Sequence, residues 1–127
     1  MAYLFDTNIF LEIFLDQEKK NKAKKILSEN LEELYISDFT FHTIGVILIN
    51  QKKHEIYRDF INDLTPYFSV LSLSKLKYSE LNDIAKEYNI DFDDSYQALI
   101  AKENNLTVLS MDNDFKKLKS FIKVKFI

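Results

Sequence analysis

Residues 4–10 read Leu4-Phe5-Asp6-Thr7-Asn8-Ile9-Phe10, LFDTNIF. An apolar run stops at three polar residues and resumes at once. Ala2 to Phe5 has the character of a short buried strand. Asn8 to about Leu15 has helical spacing, with Ile9 and Ile13, and Phe10 and Phe14, four residues apart. Asp6 is then either a loop residue that caps the helix or a carboxylate held at the end of a buried strand.

Working outward, the same alternation repeats. Glu18 to Asn30 predicts a second helix, basic outside, with Ala23, Ile26 and Leu27 inward. Leu34 to Ser37 reads as strand two, and Asp38 as the N-cap of a long helix carrying Phe41, Ile44, Val46, Ile47 and Leu48. His54 to Leu64 is amphipathic and ends before Pro66. Phe68 to Leu73 reads as strand three. Ser74 can cap a helix whose stripe is Leu81, Ile84, Ala85 and Tyr88. Asp94 to Glu103 is helical, Leu106 to Ser110 is strand four, and 122–126 alternates apolar residues with lysine as an edge strand would. Strands alternating with helices predict an α/β fold: a three-layer sandwich with a mostly parallel central sheet of four or five strands.

The 127 residues fit one domain, residues 1–127, large enough for a sizeable core. Hydrophobic residues make up 46% and charged residues 29%, the balance of a soluble globular protein. One glycine and one proline leave no flexible linker and few turns able to use positive φ. The absence of cysteine excludes disulfides and thiolate metal sites. No apolar run is long enough for a bilayer, and the N-terminus lacks a signal-peptide pattern, so no membrane role and a cytoplasmic location are expected. The net charge is −3. Binding a polyanion would therefore need bound cations or local basic patches. Lysines cluster at Lys19, Lys20, Lys22, Lys24 and Lys25, and again at Lys116, Lys117, Lys119, Lys123 and Lys125.

The acids fall where parallel strands should end. Asp6 follows strand one, Asp38 follows strand two, and Asp112 follows strand four with Asp114 close behind. Asp91, Asp93 and Asp94 open the helix before strand four. In open α/β sheets ligands bind at this edge. Gathered carboxylates repel, and a divalent cation relieves that repulsion; an oxygen-rich set without cysteine suits Mg²⁺ or Mn²⁺. Each group alone also reads as a helix cap, an acidic first turn or a turn residue.

The stretches YLFDTNIFLEIFLD and DFDDSYQALIAKENNLTVLSMDNDF, with the alternation between them, resemble the PIN domain family and its VapC-type toxin ribonuclease branch. The resemblance implies a metal-dependent endoribonuclease that hydrolyses RNA phosphodiester bonds, as the toxin of a type II toxin–antitoxin system. It assigns Asp6, Asp94 and Asp112 as catalytic residues and ligands to Mg²⁺ or Mn²⁺. Asn8, Ser110, Asp114 and Asp93 support the site, and Phe115 packs behind it. RNA, a cognate antitoxin and a second copy of the chain would be its partners, with Tyr57, Phe60, Tyr67 and Phe68 available for protein contact.

One position departs from the pattern. The family places a glutamate in the helix after strand two, where this chain has Thr43. Asp38 and Glu12 are possible substitutes, and His42 is adjacent. The departure keeps a second reading open: a catalytically degenerate PIN-like module that binds RNA or protein without cutting. A phosphoacceptor receiver domain also gathers acids at strand ends, but it pairs adjacent acids after strand one, and here Thr7 follows Asp6.

Overall fold

A computed structural model describes residues 2–127. Five strands form one sheet: β1 (Tyr3–Phe5), β2 (Leu34–Ser37), β3 (Phe68–Leu71), β4 (Thr107–Ser110) and β5 (Val124–Phe126). Their order is β3-β2-β1-β4-β5, and every neighbouring pair is parallel. The chain lays strands down on one side of β1, then crosses to the other side for β4. The carboxyl ends of β1 and β4 therefore flank the point where the winding reverses, which is where a crevice opens in such sheets.

Helices cover both faces, as parallel strands require. They are α1 (Thr7–Phe14), α2 (Lys20–Ser28), α3 (Asp38–Asn50), α4 (His54–Asp59), α5 (Tyr78–Tyr88) and α6 (Phe92–Asn104). Side chains alternate along β1: Leu4 joins a core with α5, α6 and Phe115, while Phe5 joins one with α1, α2, α3 and Phe60. The second core is rich in phenylalanine. Phe60 lies 5.4 Å from Phe14, 5.7 Å from Phe68 and 6.2 Å from Phe10, between ring centres.

Several boundaries differ from the sequence reading. The expected helix from His54 to Leu64 is α4 followed by a π-helical turn over Phe60–Leu64, then a 3-10 turn at Thr65–Tyr67 holding Pro66. Phe60 and Phe68, expected at a partner surface, are core residues; Tyr67 is exposed. Asp38 does not cap α3. Ser37, still extended at the end of β2, accepts a hydrogen bond from Thr40 N at 3.0 Å and takes that place. Positive φ is used despite the scarcity of glycine, at Asp16, Lys52, Asn89 and Asn105. The two asparagines end α5 and α6 in the left-handed conformation that their short polar side chains tolerate. Among the described residues, no helix is long and apolar enough to cross a membrane.

Candidate functional site

Asp6 is delivered by β1. Its backbone N–H continues the sheet by donating to Leu109 O at 3.0 Å, and the chain then turns into α1. Asp6 is the N-cap of that helix, which begins at Thr7 rather than Asn8. Both carboxylate oxygens are engaged. Oδ1 accepts from Thr7 N at 2.8 Å and Gln97 Nε2 at 3.4 Å; Oδ2 accepts from Ser110 Oγ at 2.6 Å. Burial raises its pKa most, and the nearby Asp112 charge adds to this; the Ser110, Thr7 and Gln97 donors oppose the rise.

The chain after β4 supplies the other wall. Asp112 N donates to Ser110 Oγ at 2.9 Å, and Asp114 N donates to Asp112 Oδ1 at 2.9 Å. These bonds fold 110–114 back on itself, so that Asp112 and Asp114 point the same way. Asn8 Oδ1 receives Met111 N at 3.4 Å and ties α1 to this turn. Phe115 is fully buried, as expected.

Asp94, in the first turn of α6, completes a cluster. One oxygen from each of Asp94, Asp112 and Asp114 lies within 4.8 Å of the others. Asp94 is pushed up to about 7, first by burial and then by the charges of Asp112, Asp6, Asp114 and Asp91. Asp6 thus lies close enough to act on Asp94 but outside the closest three. Asp93 is exposed in the same first turn and stands apart from them.

The donor set fits a hard divalent cation. It is all oxygen, the donor type that Mg²⁺ and Mn²⁺ prefer, and the three carboxylates converge within 4.8 Å. Burial first, and the neighbouring carboxylates second, disfavour a charged Asp94, and a bound divalent cation would offset both. Asp94, Asp112 and Asp114 are the residues that could hold one, with Asp6 at their inner side.

The possible substitutes for the missing glutamate are employed elsewhere. Asp38 Oδ1 accepts from Phe39 N at 2.9 Å and from Tyr96 Oη at 2.8 Å. Glu12 Oε2 accepts from Lys19 N at 2.8 Å and closes the α1–α2 loop. Thr43 and His42 line an open groove of about 760 Å³ with Asp38, Val46, Phe92 and Tyr96 among its other walls, and none of the clustered acids lines it. Of the early lysines, Lys20, Lys22, Lys24 and Lys25 lie on α2 and Lys19 just before it; Lys20 pairs with Asp16 at 3.0 Å, and Lys116 and Lys119 sit over the Phe126 ring.

Three residues escaped the sequence reading. Gln97, Tyr96 and Thr40 are buried polar groups that bind across the crevice. A glutamine inside the apolar run of α6 was the one visible signal.

The sequence matches the PIN domain family over residues 3–120, and the chain belongs to that family. Its fold is similar to that of a toxin–antitoxin complex from Klebsiella pneumoniae: TM-score 0.75, 21% identity, covering 98% of this chain and 96% of the other. It is similar to FitAcB from Neisseria gonorrhoeae, with TM-score 0.78 and 24% identity over 97% and 96% of the two chains. It is also similar to VapBC2 from Rickettsia felis bound to a promoter DNA fragment, with TM-score 0.78 and 17% identity over 99% and 98%. No curated protein matches the chain.

Proposed function

We propose that this chain is a Mg²⁺- or Mn²⁺-dependent endoribonuclease, the VapC-type toxin of a toxin–antitoxin pair. The observation that carries the reading is the Asp94, Asp112 and Asp114 cluster at the sheet's reversal point, with buried Asp6 beside it. PIN family membership supports it, as do the toxin–antitoxin complexes among its structural neighbours. A bound divalent cation would activate water and offset charge on the phosphate. The protein's share is to bind and orient. Asp94, Asp112 and Asp114 present oxygens to one point. Ser110 Oγ fixes Asp6 Oδ2, and Asn8 holds the Met111 backbone, so the turn keeps its shape when RNA arrives. Buried Asp6 meets little water, so its carboxylate is held by protein donors.

The proposal extends to one domain working in the cytoplasm, with an antitoxin and a second copy of the chain as protein partners. Apolar side chains exposed along the groove, Val46, Ile49, Tyr78 and Phe92, support a protein-binding face. Thr43 favours a second reading, a degenerate module that binds without cutting. Incubation of the protein with a mixed RNA pool and Mn²⁺, beside Asp94→Asn and an EDTA control, separates the two. Cleavage lost in both controls supports the nuclease. Metal binding without cleavage supports the binding module.

A further inference from the structure

Gln97 lies in the middle of α6 and is 2% exposed. Its amide reaches two other elements. Nε2 donates to Thr40 Oγ1 on α3 at 2.8 Å and to Asp6 Oδ1, past the end of β1, at 3.4 Å. Its Oε1 has no hydrogen-bond partner, and among the described residues no other buried side-chain nitrogen or oxygen lacks one. Turning the amide over would aim Oε1 at the carboxylate, so the neighbours fix its orientation.

Stability alone does not call for this residue. An unpaired buried acceptor disfavours the fold. Its partners also remain satisfied without it. Asp6 keeps Ser110 Oγ and Thr7 N, while Thr40 Oγ1 keeps Thr7 Oγ1 at 2.9 Å and Ser37 Oγ at 3.2 Å. What Gln97 alone supplies is a side-chain bridge from Asp6 to α3. That helix carries Thr43 instead of an acid, and its links to the carboxylate run through Thr40, directly to Gln97 and by way of Thr7, whose N–H bonds Asp6.

We infer that Gln97 is a positioning residue: its amide clamps the Asp6 carboxylate between Ser110 and α3 in the orientation needed for a divalent cation, at the expense of fold stability. The inference rests on the metal-site reading above. The last torsion of a carboxylate is broad, so each further donor from a different element narrows its orientation. Thr7 N holds Oδ1 from the start of α1, Ser110 holds Oδ2 from β4, and Gln97 holds Oδ1 from the α6 side. Asp6 stands beside the three acids that would hold the cation, and groups that support a metal site from behind commonly change metal affinity tenfold or more when removed.

The test measures two quantities on the intact protein: the thermal midpoint without metal, and Mn²⁺ affinity by electron paramagnetic resonance. Gln97→Met keeps length and removes both amide groups. It is expected to melt at or above the wild-type temperature and to bind Mn²⁺ about tenfold more weakly. Thr40→Val removes the other end of the bridge and should weaken Mn²⁺ binding by less. The double variant should bind no more weakly than Gln97→Met, because the two residues act through one link. Wild-type Mn²⁺ affinity in Gln97→Met would overturn the inference while leaving the metal site standing. So would additive losses in the double variant. Failure of both Gln97→Met and Gln97→Leu to fold would also overturn it, since a residue whose partners are otherwise satisfied is dispensable to the fold. If the wild type takes up no Mn²⁺ and matches Asp94→Asn, the metal-site reading falls and this inference with it.

Discussion

Helices α3 and α6 are each 13 residues long and meet across the same crevice, yet they treat it differently. α3 buries Thr40, Ile44 and Leu48, a single stripe at i, i+4, i+8. Its remaining faces turn to solvent and the groove. α6 buries Ser95 through Ala101 without interruption, because it is packed on several sides. A polar residue in such a helix must find its partner inside the protein. Hence Asp94 and Gln97 serve the acid site from α6, whereas α3 reaches it through the Thr40 hydroxyl. The position where the family has glutamate lies one turn beyond Thr40, on the helix whose sides are less enclosed.

The largest effect is expected at Asp94, on α6. Asp94→Asn should reduce Mn²⁺ binding and RNA cleavage by at least about 100-fold while leaving the fold intact, read by titration and by circular dichroism. Normal cleavage would mean that α6 does not supply the site. Thr43→Glu probes the same crevice from α3. A fourth carboxylate one turn from Thr40 should tighten Mn²⁺ binding several-fold, by up to about tenfold. No change would show that α3 runs past the acids and that the groove is a separate surface.

Acidity gives a smaller effect of known sign. Asp94 moves from its ordinary 3.8 to about 7, and Asp6 also moves upward. Between these pH values the folded chain holds more protons than the unfolded one, so the pair's contribution to stability falls as pH rises. In EDTA, Asp94→Asn should therefore narrow the gap between the melting temperatures at pH 5 and pH 8. Mn²⁺ should raise the wild-type midpoint more at pH 8 than at pH 5, since protons compete for the same oxygens. A gap unchanged by the substitution would mean that Asp94 carries no such charge strain.

Much of this was legible in the sequence because it rests on local signals. Apolar runs ending in Asp6 and Ser110 mark strand ends, and parallel strands bring those ends to one edge. Asp112, just past β4, is reached by the same reasoning, whereas Asp94 opens α6 and was singled out by the family resemblance. The hydrogen bonds that join the crevice were not legible. Gln97 and Asp6 are 91 positions apart and Tyr96 and Asp38 are 58 apart, so no window of sequence holds both partners. The π turn at Phe60–Leu64 was also hidden: it begins at Phe60, a core residue whose ring packs on Phe10 and Phe14 from α1, far away in sequence. Lys52 adopts a positive φ that its residue type does not announce, whereas Asp16, like the two asparagines, is of a type that tolerates it.

Neighbouring residues of α6 give the finest test. Tyr96 and Gln97 are both buried, but Tyr96 faces the groove while Gln97 faces the acids. Tyr96 Oη donates to Asp38 Oδ1 at 2.8 Å and accepts from Leu73 N at 3.2 Å. Tyr96→Phe removes both bonds and leaves the Leu73 N–H without that partner. It should lower stability by about 1–2 kcal/mol in urea unfolding. Mn²⁺ affinity should be unchanged, because neither bond touches Asp6, Asp94, Asp112 or Asp114. Gln97→Met is expected to do the reverse. If Tyr96→Phe also weakened Mn²⁺ binding, the groove and the acid site would be one coupled unit, and the division of labour along α6 would be wrong.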